Sequence, residues 1–181
     1  RGQPAAFVVA WHLCDFGNVV SGATRKRSFK ITNTSSNTQL SFVFDKNLLM
    51  GTGFTCEPEK VVRLPENESV EFTVNFNAKK SIPLGVKELF LPLDVKNGPS
   101  SVIVLRAHVT VPEVQISCDL LDFDKCWVGC SRTLCLQVQN ISPVNAEWDF
   151  KKAMGSAKDE SRFVITPRSG VLSPGDRQSV A

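Results

Sequence analysis

Two stretches of this 181-residue chain carry nearly the same pattern, and that duplication limits the possible folds more than any other feature. Leu13-Cys14-Asp15-Phe16, Gly22 and the run Arg27-Ser28-Phe29-Lys30-Ile31-Thr32-Asn33 return as Leu120-Leu121-Asp122-Phe123, Gly129 and Leu134-Cys135-Leu136-Gln137-Val138-Gln139-Asn140. Asp15 and Asp122, Gly22 and Gly129, and Asn33 and Asn140 are each 107 positions apart. The offset then slips to 109, where Phe54-x-x-x-Pro58 is answered by Phe163-x-x-x-Pro167. A shared offset held across loops of different sequence implies two copies of one domain. Arrays of one module usually build scaffolds or binding surfaces rather than one catalytic centre.

A chain of this length holds one large domain or two modules of about 100 residues, each able to bury its own core. The repeat selects two, over residues 1–111 and 112–181. The first copy runs on for about 40 residues past its match to Val171-Leu172-Ser173-Pro174-Gly175, so the second is expected to be incomplete, cut inside a strand. The net charge is +3, with 12 basic and 9 acidic residues in 7–111 and 8 and 9 in 113–181. Neither half has the one-sided charge of a nucleic-acid binder. No run of 18 apolar residues offers a membrane span. Six cysteines, at 14, 56, 118, 126, 130 and 135, fall two in the first copy and four in the second, with no pair recurring. A disulfide framework in a duplicated extracellular module should recur, so free thiols in a reducing compartment are expected.

Alternation is the dominant local signal. Phe29 and Ile31 alternate with Ser28, Lys30 and Thr32; Val70, Phe72, Val74 and Phe76 with Glu71, Thr73 and Asn75; Leu134, Leu136 and Val138 with Cys135, Gln137 and Gln139. Period two with β-branched and aromatic residues predicts strands with one buried face. The expected strands are 7–14, 17–21, 25–33, 39–45, 52–57, 69–76, 87–95 and 101–110, then 113–118, 121–128, 132–140, 146–151, 162–166 and one from about 178. About seven short strands per 100 residues predicts an all-β chain of two tandem immunoglobulin-like antiparallel β-sandwiches. The polar stretch 151–161 reads as a mobile loop. Val109-Thr110-Val111-Pro112-Glu113 is a short linker without glycine, expected to hold two sandwiches nearly end to end.

Phe163-Val164-Ile165-Thr166-Pro167-Arg168-Ser169-Gly170-Val171-Leu172-Ser173-Pro174-Gly175 resembles the signature of major-sperm-protein (MSP)-like sandwiches. Asp15-Phe16-Gly17-x-Val19-x-x-Gly22 with Phe29-Lys30-Ile31-Thr32-Asn33-Thr34 resembles the ASH variety of that family, as does Pro143-Val144-Asn145-Ala146-Glu147-Trp148 in the second copy. The resemblance implies a non-catalytic structural module of a large ciliary axoneme protein of the central pair apparatus. It implies partners among other axonemal proteins, with tubulin and microtubules as further candidates, no nucleic acid or membrane partner, and a cytoplasmic, axonemal location. Module one lacks the Ser-Gly and Pro-Gly pattern between Glu57 and Glu66, and module two has Asp124 where module one has Gly17.

The motif residues read as fold-making. Asp15-Phe16-Gly17 is expected to end a strand, bury Phe16 and turn at Gly17. Asn33 and Asn140 should bond the turning backbone, so their Asn-x-Ser triplets, and Asn67-Glu68-Ser69, read as turns rather than glycosylation acceptors. Cys126-x-x-x-Cys130-x-x-x-x-Cys135 with Cys118 lacks the close-spaced pairs of a structural zinc site, and Cys126, the counterpart of Val19, is expected in the core. His12 and His108 sit in strands with no nucleophile motif beside them, and no glycine-rich loop cradles phosphate, so neither catalytic residues nor cofactors are expected. The candidate interaction residues are the densest basic spots, Arg25-Lys26-Arg27 and Lys79-Lys80, which could meet an acidic partner or simply be solvated. Two alternatives stand beside the scaffold: an MSP-type adaptor binding short acidic peptides at a membrane surface, which needs a basic groove, and a secreted immunoglobulin-like domain, which needs paired thiols.

Overall fold

A computed structural model describes residues 7–9, 13–151 and 162–181. His12 and positions 152–161 of the expected loop lie outside the described residues. The chain divides into two compact units, residues 1–110 and 111–181, and both are built from strands.

Unit one holds β1 (Phe7–Val9), β2 (Leu13–Val20), β3 (Thr24–Asn33), β4 (Leu40–Phe44), β5 (Phe54–Glu57), β6 (Lys60–Leu64), β7 (Ser69–Asn77), β8 (Gly85–Val95) and β9 (Ser101–Thr110). One sheet runs β1-β3-β7-β5 and the other β2-β9-β8-β4-β6. The alternation forecasts the faces: Phe29, Ile31, Phe72, Val74 and Phe76 are buried, and they meet Leu91, Leu93, Ile103 and Leu105 of the opposite sheet in one core. Phe72 sits at its centre, its ring stacked on Phe29 at 5.2 Å and edge-on to Phe44 at 5.2 Å. A second ring cluster joins Phe16 to Phe54 at 5.9 Å and to Phe76 at 6.0 Å. A fully buried Leu or Phe contributes about 1.5–3 kcal/mol, so these faces hold the two sheets together.

Several strand expectations need correction. The Lys60–Leu64 strand lies outside the expected set, because Pro58, Glu59 and Pro65 mask its short apolar pattern. Asp15-Phe16-Gly17 does not end a strand: β2 passes through it with a register shift between Asp15 and Asn18. Gly17 takes φ +63 and donates its N–H to Asp15 Oδ1 at 2.8 Å, so the sequence turn is a bulge that keeps Phe16 inward. Among the described residues of unit one, every pairing is antiparallel except β2 with β9, which is parallel.

Unit two holds β10 (Val114–Ile116), β11 (Leu136–Asn140), β12 (Ala146–Asp149), β13 (Ser169–Leu172) and β14 (Arg177–Val180), as a three-stranded sheet β10-β11-β14 and a two-stranded sheet β12-β13. Its core gathers Leu136, Val138, Trp148, Leu172 and Val180. Strands expected over 121–128 and 162–166 are absent, and β13 falls within the signature stretch, where no strand is expected from the sequence. The segment 121–128 has no neighbour equivalent to β9, and apolar alternation alone cannot satisfy a strand's backbone groups. Cys126 is accordingly exposed rather than in the core, 3.5 Å from the Cys130 carbonyl.

The two units use the same local devices. Val114 pairs with Asn140 as Phe7 pairs with Asn33, and Ala146 pairs with Leu172 as Leu40 pairs with Leu64. Thr166 and Ala181 exchange backbone bonds of 2.8 and 2.9 Å where Glu57 faces Thr73 in unit one. Asp122 Oδ1 accepts from Asp124 N–H at 2.7 Å, repeating the bend at Asp15, with Asp124 at φ 50 in place of Gly17. Asn67, at φ 62, fills the turn position that Gly175 fills at φ +82. Core volumes are traded between the units. Trp148 stands where unit one has Phe42, and its ring is accommodated by Gly170, whose added Cβ would lie 3.0 Å from the indole.

Candidate interaction surface

Arg25, Lys26 and Arg27 lie at the start of β3, opposite Phe76, Asn75 and Val74 of β7. Ala78 N–H donates to the Ala23 carbonyl, and Gly22 N–H to the Ala78 carbonyl. These bonds bring Lys79 and Lys80, just past β7, beside the start of β3. The structure thus joins the two basic spots at one end of the β3–β7 ladder, and all five side chains are exposed. Strand alternation divides them: Arg25 and Arg27 point to the core side beyond the apolar residues, while Lys26 points to the outer face. Among the described residues the ion pairs are Lys46–Glu59 at 3.2 Å and Arg106–Glu88 at 2.8 Å, and neither involves these five. The cluster is a solvated cationic end, not a groove.

Two asparagines, among the described residues, each bind three backbone groups through their side chains. Asn33 Nδ2 donates to the carbonyls of Thr38 at 2.8 Å and Leu64 at 2.9 Å, and its Oδ1 accepts from Ser35 N–H at 2.9 Å. Asn140 repeats this on Val144 at 2.7 Å, Leu172 at 2.9 Å and Ser142 N–H at 2.9 Å. Both asparagines are fully buried, so their amides tie a strand end to a turn and to the opposite sheet, and neither is open to glycosylation. The sequence signal was present, Asn-x-Ser at the same place in each copy, but it shows only the local bond and not the long-range one.

All six thiols are free. Burial pushes Cys14 up from 9.0 to about 11, with Arg27 opposing and Asp15 adding to the rise. Burial pushes Cys56 to about 12, with Cys14 and Glu57 adding. These are packed, unreactive groups. At pH 8, iodoacetamide should label exposed Cys126, Cys130 and Cys135 well before Cys14, as read by mass spectrometry. Equal rates would contradict the packing. The folded state holds these two protons more tightly than the unfolded chain, so their contribution to stability is full below pH 9 and declines as pH rises toward 11–12. His108 Nδ1 lies 2.7 Å from Asn18 Oδ1 on neighbouring strands, a structural contact without a nucleophile. Among the described residues no three His, Cys, Asp or Glu side chains converge as metal ligands.

Unit two carries a different surface, an apolar groove of about 290 Å³ lined by Leu121, Phe123, Leu136, Phe150, Phe163 and Val180, among others. Phe123 and Phe163 meet at 5.6 Å as Phe16 and Phe54 do in unit one. Phe163 is 59% exposed, whereas Phe54 is 3% exposed. Trp127, at 85% exposed, and Val128 project nearby in the chain.

Comparison with known proteins bears on these surfaces. In an alignment of 200 positions that covers 99% of its length, the chain is 33% identical to human hydrocephalus-inducing protein homolog, and it is 32% identical over 93% of its length to the mouse hydrocephalus-inducing protein. The chain resembles a segment of hydrocephalus-inducing protein. It spans only about 4% of the length of either relative. Human "Deleted in lung and esophageal cancer protein 1" is 27% identical over 83% of the chain, which spans 9% of that protein. No protein-family profile matches. Among solved structures, the ASH/PapD-like domain 7 of human CEP192 superposes with a TM-score of 0.50 at 12% identity, covering 62% of this chain and 92% of that domain. The fold is therefore of the ASH/PapD-like, immunoglobulin-type all-β class, as the sequence resemblance implied.

Proposed function

We propose that the chain is two copies of one ASH-type module and serves as a non-catalytic scaffold segment of a large ciliary protein, in the axoneme's central pair apparatus. The observation that carries this reading is the similarity of nearly the whole of this chain to a segment of hydrocephalus-inducing protein. The matched Asn33 and Asn140 networks support the two-copy reading: each amide accepts from the N–H of a Ser two residues on and donates to the carbonyl of a Leu 31 or 32 residues on. Partners are other axonemal proteins, held at intervals by many weak contacts that sum along an array. Expressed as a tagged segment in ciliated cells, the chain should concentrate in the axoneme; a uniform cytoplasmic distribution would count against the reading.

The cationic end of unit one is the proposed contact for an acidic partner, with tubulin the first to test. Co-sedimentation with microtubules at low salt should fall at least ~10-fold when Arg25, Lys26, Arg27, Lys79 and Lys80 are changed to Glu, and should weaken with added salt as exposed charges are screened. The melting temperature should stay nearly constant, because exposed charges contribute little to folding. Unchanged binding in the variant would remove this end from the interface.

A further inference from the structure

Unit one shows what covers the surface that unit two leaves open. Positions in the two units correspond through their ladders: Leu136 faces Val180 as Phe29 faces Phe72, and Ala146 faces Leu172 as Leu40 faces Leu64. On this correspondence Leu121, Phe123, Phe150 and Phe163 stand where unit one has Cys14, Phe16, Phe44 and Phe54. Those four are all buried, and the strands that complete their core are β8 and β9, through Leu91, Leu93, Ile103 and Leu105. The two strands also complete the sheet. β8 pairs antiparallel with β4, Phe44 facing Leu93, and β9 pairs parallel with β2, Cys14 facing Leu105 and Val19 facing Val109. Among the described residues of unit two, β12 pairs only with β13, and the segment 121–128, with the apolar residues of β2, forms no strand.

We infer that the unit-two groove is the seat of a polypeptide β-hairpin of the β8–β9 kind, with aliphatic residues alternating on its inner face. Its first strand lies antiparallel along the edge of β12 away from β13. Its second lies parallel to residues 120–127, which become a strand when it arrives. The inference rests on the two-copy reading. A lipid or small apolar ligand could fill the groove, but it would leave residues 120–127 and the edge of β12 away from β13 without a neighbouring strand, whereas a hairpin satisfies both the apolar wall and the two edges.

The reporter is Cys126, the counterpart of fully buried Val19. Ala181 stands where unit one has Thr73, so a second copy of residues 74–110 joined after Ala181 supplies the hairpin in register. In the extended chain, iodoacetamide labelling of Cys126 should slow at least ~10-fold while Cys130 stays reactive, and residues 120–128 should gain amide-exchange protection. A control extension with Asp at the appended counterparts of Leu91, Leu93, Ile103 and Leu105 should protect neither. Unchanged Cys126 labelling with an unprotected segment overturns the inference. So does equal protection of the original chain by phosphatidylcholine vesicles, or by raising its own concentration, which would assign the groove to lipid or to a second copy. The two-copy reading is tested separately in the original chain: if Asn140→Ala leaves exchange of β11–β14 unchanged, that reading fails. If the variant loosens β11–β14 and the hairpin still does not seat, only the present inference fails.

Discussion

Phe72→Ala will destabilise unit one by about 3–5 kcal/mol, the range for truncating a large aromatic side chain in a close-packed core. Phe72 has no exposed surface. Its ring touches Phe29 at 5.2 Å, Phe42 at 5.6 Å and Phe44 at 5.2 Å, so both sheets lose a shared contact at once. The flanking strands cannot collapse into the void, because β3 is fixed against β7 along nine paired positions. Chemical denaturation followed by amide exchange should show the loss in unit one while β11–β14 keep their protection. Phe72→Leu fills most of the space and should cost less than half as much. A loss below ~1 kcal/mol for the alanine variant would mean that Phe72 does not join the two layers.

The second large effect is a matched pair. Asn33→Ala and Asn140→Ala each leave two carbonyls and one N–H without their side-chain partner in a buried setting. An unsatisfied buried group costs about 1–3 kcal/mol, and water entering the loosened turn recovers part of it, so each variant should lose about 2–4 kcal/mol in its own unit. Asn→Asp is expected to be at least as damaging, because a carboxylate has no N–H to give the two carbonyls. Asn→Ser keeps one donor and should fall between. The informative outcome is parallelism. The same rank order at both positions supports one module used twice, while a loss at Asn33 with none at Asn140 would break the equivalence.

Much of this fold is legible before any coordinates. The alternation in β3, β7 and β11 fixes which side chains are inside, and the 107-residue offset anticipates shared bends at Asp15 and Asp122. What escapes the sequence depends on long-range partners. β6 is five residues between prolines, and it becomes a strand only because β4 lies beside it. The segment 121–128 has the right alternation but no β9 to pair with, so it stays irregular and Cys126 faces solvent. Pairing likewise decides what happens at Asp15-Phe16-Gly17, where a local turn signal becomes a bulge inside a longer strand. For the basic spots, sequence gives two separate runs, and only the β3–β7 ladder shows that they share one end.

The parallel pairing of β2 with β9 also governs how unit one behaves under tension. β2, near the beginning of the unit, and β9, its last strand, run side by side in the same direction, from Leu13 beside Val104 to Val20 beside Thr110. The backbone therefore enters at one extremity and leaves at the other. A pull on the two ends slides this ladder lengthwise, so its hydrogen bonds bear the force together rather than opening one by one like a zip. Under load, that geometry turns an ordinary sheet contact into a mechanical clasp.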